Sequence, residues 1–334
     1  MRKLRFGVLS TARIGIDKVI PAMQRGTRTE VTAISSRSGD RARAAAADLG
    51  LKKAYDSYDA LLADPDVDAI YNPLPNHLHC PWSKKAMEAG KHVLCEKPLG
   101  LNCQEIEDLI ETRDRCGVTA AEAFMVKSCP QWLSARDSVR SGELGELRII
   151  QSFFSYDNRD PDNIRNIVDA GGGAMWDIGC YPVALSRYLF EDEPQRVAAL
   201  LDFDPVMKTD RLSSVIMDFA GGQAIFAVST QLVPYQRLHL FGTKRHLEVM
   251  IPFNAPNDRP CVVKTDGGTL REEEIISHPF PTMDQYTLQG DDFARAVLDN
   301  GPVHSSLEDG LENTRVIKAI FTAARENRWV KVER

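Results

Sequence analysis

The chain has 334 residues, 43% of them hydrophobic and 26% charged, with a formal net charge of −6. That length allows two domains with sizeable cores, while the net acidity excludes a nucleic-acid binder that works by neutralising phosphates. No apolar run approaches the roughly 18 residues of a membrane span, and the seven cysteines, odd in number and without metal-ligand spacing, fit reduced thiols in a cytoplasmic protein better than a disulfide framework.

Leu4 to Leu9 reads as a compact apolar strand, and Phe6-Gly-Val-Leu-Ser10 is too short to be a signal-peptide core. Ser10-Thr-Ala-Arg-Ile-Gly15 follows, then a helical pattern from Ile16 to Gln24. Strand, tight turn and helix form the setting of a dinucleotide fingerprint, here degraded from G-x-G-x-x-G to Ser10-x-Ala12-x-x-Gly15. Small residues still admit a pyrophosphate, and a helix N-terminus still offers amides and a positive dipole end. Ser10, Thr11, Ala12, Arg13 and Ile14 are the expected contacts, with Gly15 keeping the steric argument of the glycine motif.

Glu30 to Ile34 is expected as a second strand, ending in Ser35-Ser36-Arg37. An NAD(H) site usually has an acidic residue near this point for the ribose hydroxyls. Here Ser36, Arg37 and, one helical turn on, Arg41 offer hydroxyl and guanidinium groups, which favours NADP(H) over NAD(H). Solvated charges at a helix start are the alternative reading of the two arginines.

Ala42–Leu49 reads as a helix, Tyr55–Ala63 as a turn with a short helix, and Asp68–Tyr71 as a buried strand. Asn72-Pro-Leu-Pro-Asn-His-Leu-His79 breaks the pattern. His77 and His79 lack a carboxylate or cysteine at useful spacing, so no metal is expected, and His79 is taken as a loop histidine facing the cofactor. After a helix over Trp82–Ala89 comes His92-Val-Leu-Cys-Glu-Lys-Pro98, an apolar strand stopped by two charges and a proline. Ligands of open α/β sheets collect beyond the carboxyl ends of strands. Lys97 is therefore expected at a rigid strand end, although the same stretch also suits a surface ion pair. Asn102 caps a helix to about Arg115, and Val118–Ala121 closes a doubly wound parallel sheet.

The pattern then changes. Pro130–Ser141 is an amphipathic helix and Leu147–Tyr156 a long strand. Gly171-Gly-Gly173 precedes a helix to about Phe190 on which Asp177 and Tyr181, four apart, share a face. A carboxylate and a phenol so placed form a proton-transfer group, or else a buried Tyr–Asp pair. Five successive strands (Arg196–Phe203, Leu212–Phe219, Gln223–Thr230, Arg237–Gly242, His246–Met250) imply a mostly antiparallel sheet. Helices over Gln285–Leu298 and Leu307–Glu326 and a strand at Trp329–Val332 complete the chain. The expected fold is thus an α/β chain, with a Rossmann domain over 1–123 and an α+β domain with a large open, mostly antiparallel sheet over 124–334.

Gly7-Val-Leu-Ser-Thr-Ala-Arg-Ile-Gly15, Pro75-Asn-x-x-His79, Glu96-Lys-Pro98 and Gly172-Gly-x-x-x-Asp177-x-Gly-x-Tyr181 resemble the glucose–fructose oxidoreductase/inositol dehydrogenase (Gfo/Idh/MocA) family over essentially the whole chain. The turn and the Trp-Asp-Ile-Gly-x-Tyr stretch look most like its branch of NADP-dependent xylose dehydrogenases and dimeric trans-dihydrodiol dehydrogenases. The resemblance implies that Pro75, Asn76, His79 and Glu96 join the cofactor contacts and that Lys97 lies by the nicotinamide and hydrogen-bonds the reacting oxygen. It further implies that Asp177 helps place the substrate, that Tyr181 is the acid/base, and that the open sheet is a homodimer surface. Ser10 and Ala12 depart from the family glycines, and Cys129 stands where relatives often carry His. Phe154, Trp176 and Phe280 are expected to line an apolar wall of the substrate pocket, or to be core aromatics.

The expected activity is NADP(H)-dependent hydride transfer to or from a sugar, cyclic polyol or dihydrodiol, with neither nucleic acid nor membrane as partner. A ketosugar reductase, a captive-cofactor oxidoreductase of the same family and a non-catalytic NADP sensor are the alternatives.

Overall fold

A computed structural model describes residues 2–271 and 273–333. The chain divides into two compact units, the first running to Ser128 and including Asp284–Leu311, the second comprising Cys129–Met283 and the chain from Glu312 on.

In the first unit, β1 (Leu4–Leu9) is followed by a π-type turn, Gly15–Val19, that runs into α1 (Ile20–Arg25). Then come β2 (Thr29–Ser35), α2 (Gly39–Leu49), β3 (Lys53–Tyr55), α3 (Tyr58–Leu62), β4 (Ala69–Asn72), α4 (His79–Glu88), β5 (His92–Glu96), α5 (Cys103–Cys116) and β6 (Ala120–Ala123). The strands pair in parallel in the order β3-β2-β1-β4-β5-β6, the order of a dinucleotide-binding Rossmann sheet, with its topological switch between β1 and β4. Sheet residues Phe6, Val8, Ile34, Ile70, Tyr71 and Leu94 are fully or almost fully buried, as a sheet covered on both faces requires. Asn102 caps α5, its side chain accepting the Gln104 N–H at 3.1 Å.

The second unit contains α6 (Pro130–Arg140), β7 (Leu147–Asp157), a second π-type turn (Met175–Gly179) leading into α7 (Cys180–Phe190), β8 (Arg196–Phe203), β9 (Asp210–Asp218), β10 (Gln223–Ser229), β11 (Gln231–Gly242), β12 (His246–Val249), β13 (Cys261–Asp266) and β14 (Ile276–Phe280). The remaining elements are α8 (Gln285–Leu298), in the first unit, then α9 (Leu307–Glu326), within which the unit boundary falls, and β15 (Val330–Lys331). The second sheet runs β14-β13-β12-β11-β7-β10-β9-β8-β15, antiparallel except for the β7–β10 pair. Alternation along β7 buries Ile150, Ser152 and Phe154 on the face covered by helix, and turns Ile149, Gln151 and Phe153 to the other, open face.

Three expectations about the fold change. Residues 284–311 are not part of a continuous second domain starting at 124. They return to the first unit, where Phe293 packs against Phe6 at 5.9 Å and the Asp291 carboxylate accepts the backbone N–H groups of Thr27 and Arg28. β13 and β14 were not foreseen. Finally, β11 starts at Gln231, six residues before the apolar pattern suggests, with an irregularity between Gln231 and Tyr235 where Pro234 lacks a ladder donor.

Candidate active site

The six parallel strands of the first unit all end at one edge of the Rossmann sheet, and most of the expected cofactor contacts follow β1, β2, β4 and β5. After β1, Ser10 takes the left-handed conformation (φ 69°) that the first glycine of the fingerprint would otherwise supply. Its hydroxyl accepts the Ala12 N–H at 3.2 Å, and Ile16 N–H bonds back to the Ala12 carbonyl at 3.0 Å, which closes the first helical turn. Thr11, Ala12 and Ile14 are half-buried and Arg13 is exposed. A Cβ on Gly15 would meet Pro73, Tyr71 and Val8 only at 3.7–3.8 Å. Crowding by the protein thus does not by itself demand this glycine, and the steric argument made for it, close approach to a pyrophosphate, concerns the cofactor. After β2, Ser36 is buried, its N–H donating to the Tyr55 carbonyl at 3.1 Å, while Arg37 and Arg41 are exposed. Arg37 also acts on the buried Tyr58: burial raises the phenol's pKa, and the charge and hydrogen bond of Arg37 oppose that rise.

After β5, the Lys97–Pro98 peptide is cis. Glu96 is held from two sides, because Tyr71 Oη on the neighbouring β4 donates to Oε1 at 2.7 Å and the Lys97 N–H donates to Oε2 at 3.2 Å. Burial, then the charge of Glu96, keeps the Tyr71 phenol protonated far above its usual range. Further along, Glu122 Oε1 accepts the Leu99 N–H at 2.8 Å, and a Cβ on Gly100 would stand 2.7 Å from Cys80 Sγ. Lys97 thus projects from a segment fixed on both sides.

His79 is one of the fixing groups, which corrects its expected place. It opens α4 instead of lying in a loop, and it is 1% exposed. Nδ1 lies 2.7 Å from the Pro98 carbonyl and Nε2 lies 2.7 Å from the Leu74 carbonyl. Both ring nitrogens are spent on backbone, so His79 ties the two strand-exit loops together and offers no nitrogen to a cofactor. Burial pushes its pKa down to about 4. Pro75 and Asn76 are half-buried in the same β4 exit. Among the described residues, no group of three His, Cys, Asp or Glu side chains is arranged to hold a metal ion.

In the second unit, the π-type turn and α7 carry Asp177 and Tyr181. Asp177 Oδ2 accepts the Tyr156 hydroxyl at 2.5 Å and Arg165 Nε at 3.1 Å. Burial and the neighbouring carboxylate push the Tyr156 phenol far up, so Tyr156 stays protonated as the donor. Tyr181 is 4% exposed, with Phe154 edge-on at 5.9 Å and Phe253 tilted at 5.5 Å. The turn itself is anchored by Asp210, whose Oδ2 accepts the Met175 N–H and the Ser213 hydroxyl, each at 2.8 Å. Gly173 (φ 113°) has no room for a side chain, since a Cβ there would stand 2.0 Å from Asp210 Oδ1.

The three aromatics expected in one wall do not share one. Phe154 stacks on Phe253 at 4.7 Å and adjoins Tyr181, whereas Trp176 packs on Phe321 at 5.8 Å. Phe280 lies on the edge strand β14, four strand spacings from β7, or about 19 Å along the sheet. Tyr71, Glu122, Tyr156, Arg165 and Asp210 escaped sequence reasoning. Of these, only Tyr156 and Arg165 lie in a stretch, 156–166, whose run of polar residues is itself a signal.

A Rossmann unit with a fingerprint turn after its first strand and a braced lysine, followed by a unit that displays a carboxylate–phenol cluster beneath one face of a broad sheet, defines a nicotinamide-dependent oxidoreductase. The chain belongs to the GFO/IDH/MocA family. Residues 4–124 match the model described as "Oxidoreductase family, NAD-binding Rossmann fold", and residues 132–248 match "GFO/IDH/MocA C-terminal domain". It is 45% identical to an uncharacterized oxidoreductase of Rhizobium meliloti, over 99% of this chain and 100% of that one. It is 36% identical to a D-xylose 1-dehydrogenase (NADP(+)) of Haloferax volcanii, with the same coverage of each. Among solved structures it resembles a 3-ketoreductase from Actinomadura kijaniata in complex with NADP and TDP-benzene, with TM-score 0.89 and 29% identity over 96% of this chain and 98% of that one.

Proposed function

We propose that this chain is an NADP(H)-dependent oxidoreductase that transfers hydride between the nicotinamide and a sugar or cyclic polyol, with oxidation of an aldopyranose at C1 as the first choice and of a trans-dihydrodiol as the second. The observation that carries the reading is the Asp177 cluster, in which one tyrosine is locked as a donor to the carboxylate and a second, Tyr181, stands on the same helix. A protein that only sensed the nucleotide would need no such group. Arg37 and Arg41 after β2, whose end carries Ser35 and Ser36 and not an acidic residue, support NADP(H) over NAD(H).

When bound, NADP supplies the hydride acceptor or donor. Lys97, on its braced strand exit, donates a hydrogen bond to the reacting oxygen. Tyr181 takes the hydroxyl proton during oxidation and returns it during reduction. Asp177, held by Tyr156 and Arg165, accepts from a substrate hydroxyl and fixes its orientation. General acid/base work of this kind contributes about 10²–10⁴-fold. The open sheet face, with Leu200 73% and Tyr235 47% exposed, is read as the surface that joins two copies.

A second reading, reduction of a 3-ketosugar, uses the same residues in the reverse direction. Likeness to the Actinomadura 3-ketoreductase supports it.

The test is NADPH formation by purified protein given NADP⁺ or NAD⁺ with a panel of aldopyranoses, inositols and a trans-dihydrodiol, alongside NADPH consumption with ketosugars. Turnover that prefers NADP⁺, and that is lost in Lys97→Met and Tyr181→Phe, is expected. Near-normal rates in both variants, or no binding of either nucleotide, would sink the reading.

A further inference from the structure

The glycine run at 171–173 is shaped by the segment upstream of it. Asn163 caps the short 3₁₀ turn Ile164–Asn166, its side chain accepting the Arg165 N–H at 3.1 Å. Asn166 Nδ2 donates to the carbonyls of Asn158 and Asp160 at 3.2 and 2.8 Å. The Arg165 carbonyl accepts the Gly173 N–H at 2.8 Å and lies 2.5 Å from where a Cβ on Gly172 would stand. The backbone of Arg165 is therefore built into the turn that launches the helix of Asp177 and Tyr181. Its side chain reaches the same helix, with Nε bonded to Asp177 Oδ2, and its charge is within electrostatic reach of Asp177, Tyr156 and Tyr181.

We propose that Arg165 is a positioning residue for the proton-transfer pair: it fixes Asp177 through Nε and sets a permanent positive charge near the phenol of Tyr181. This rests on the oxidoreductase reading above. Guanidinium suits the task because it cannot lose its proton at working pH and its planar fork keeps a fixed direction. A cation near a phenol favours the phenolate and lowers the pH at which it forms.

Among the described residues of the second unit, the titratable and charged groups that act on this pair include Tyr156 from β7, Arg165 itself and, acting on Tyr156, Asp210 from β9. Phe154 and Phe253, which flank Tyr181, carry no charge. Tyr156 does not compete as a base, because burial and Asp177 hold its proton. Asp210 titrates near neutrality, pushed up to about 7 by burial. A pH–rate profile would therefore mix its ionisation with that of Tyr181, whereas tyrosinate absorbance does not register a carboxyl group.

The experiment is an ultraviolet titration of tyrosinate in the full chain and in Arg165→Gln and Arg165→Lys, the Tyr181 signal being the one that Tyr181→Phe removes. In Arg165→Gln the Tyr181 titration is expected to move up by about one unit. Turnover near neutral pH is expected to fall about tenfold and to recover at alkaline pH. NADP⁺ binding, followed by fluorescence, stays as in the parent. Arg165→Lys keeps the charge and should move the titration less. Should the Gln variant fail to fold by circular dichroism, Arg165→Met, which also removes the charge, decides: reduced turnover with a displaced titration supports the proposal, and parent values for both overturn it. An unmoved titration and an unmoved pH–rate profile in a folded Arg165→Gln also overturn it. A chain that turns over no substrate, yet whose Tyr181 titration moves when Arg165 is lost, contradicts the oxidoreductase reading and leaves the electrostatic assignment standing.

Discussion

Asp210 accepts the backbone N–H of Met175 at 2.8 Å across 35 positions of sequence, and so caps from β9 a helix that has no side-chain cap of its own. The carboxyl is 2% exposed, and burial raises its pKa from 3.8 to about 7 against the hydrogen bonds from Ser213 and Met175. A folded pKa above the unfolded one means that stability from this group is fully present below pH 3.8 and is lost as pH rises through 7. The difference corresponds to about 4 kcal/mol at most. Asp210→Asn keeps an oxygen for the Met175 N–H and has no charge to bury. Its melting temperature relative to the parent is therefore expected to climb by several degrees between acid and mildly alkaline pH. A constant difference across that range would show that the ionisation is not coupled to folding.

His79 sets the opposite slope. Its folded pKa, about 4, lies below the ordinary 6.5, so the stability it contributes is present above 6.5 and is lost as pH falls towards 4. The full difference corresponds to about 3 kcal/mol. A neutral ring can donate to only one of the two carbonyls it faces, yet burial makes the charged ring costlier still. His79→Gln should melt lower than the parent at neutral pH and lose less on acidification, as followed by thermal denaturation at several pH values. Equal acid sensitivity in both proteins would count against His79 as the titrating group.

Elements with strong local signals were legible in the sequence. The apolar run His92–Cys95, stopped by Glu96, Lys97 and Pro98, is β5 and its exit, and α8 and α9 span the expected residues. Asn102 caps its helix as its residue type suggests. What was not legible depends on contacts without a period. β14 is an exposed edge strand whose residues read as loop, and β13 shows itself only through its pairing with β12 and β14. His79, between Pro75 and Pro81, reads as a loop histidine until two carbonyls are seen to close on it. Arg165 lies in a polar stretch like any surface loop, and Asp210 in a strand start. Their importance comes from bonds to residues 12 and 35 positions away, which no spacing rule reports.

The open face of the second sheet yields a third prediction. An open depression of about 910 Å³ lies across β7–β11, with Leu200, Ile216 and Tyr235 among its lining residues. It lies on the face opposite Phe154 and Ile150, so it is not continuous with the Tyr181 cluster. A stable dimer interface buries about 800 Å² per partner, so a partner copy would have to cover the sheet face well beyond this depression. Leu200→Asp combined with Ile216→Arg is expected to convert a sedimenting dimer to monomer with secondary structure and NADP⁺ binding intact. Unchanged sedimentation would remove this face from the interface.

The two tyrosines of the Asp177 cluster should respond differently to loss of a single oxygen. Tyr156 spends its proton on Asp177 and is held protonated by burial, so it can orient the carboxylate but cannot accept a proton from substrate. Tyr156→Phe removes one of two donors to Oδ2 and leaves Arg165 in place. The expected result is a raised KM, with kcat within about tenfold of the parent, since one hydrogen bond to a charged group is worth about 1.5–3 kcal/mol and acts mainly on substrate placement. Tyr181→Phe removes the proton-transfer group itself, and kcat should fall by about 10²–10⁴-fold with KM little changed. Steady-state kinetics of both variants with one substrate decides the assignment. If Tyr156→Phe proves the more damaging to kcat, the roles are reversed and the carboxylate–phenol pair, rather than Tyr181, moves the proton.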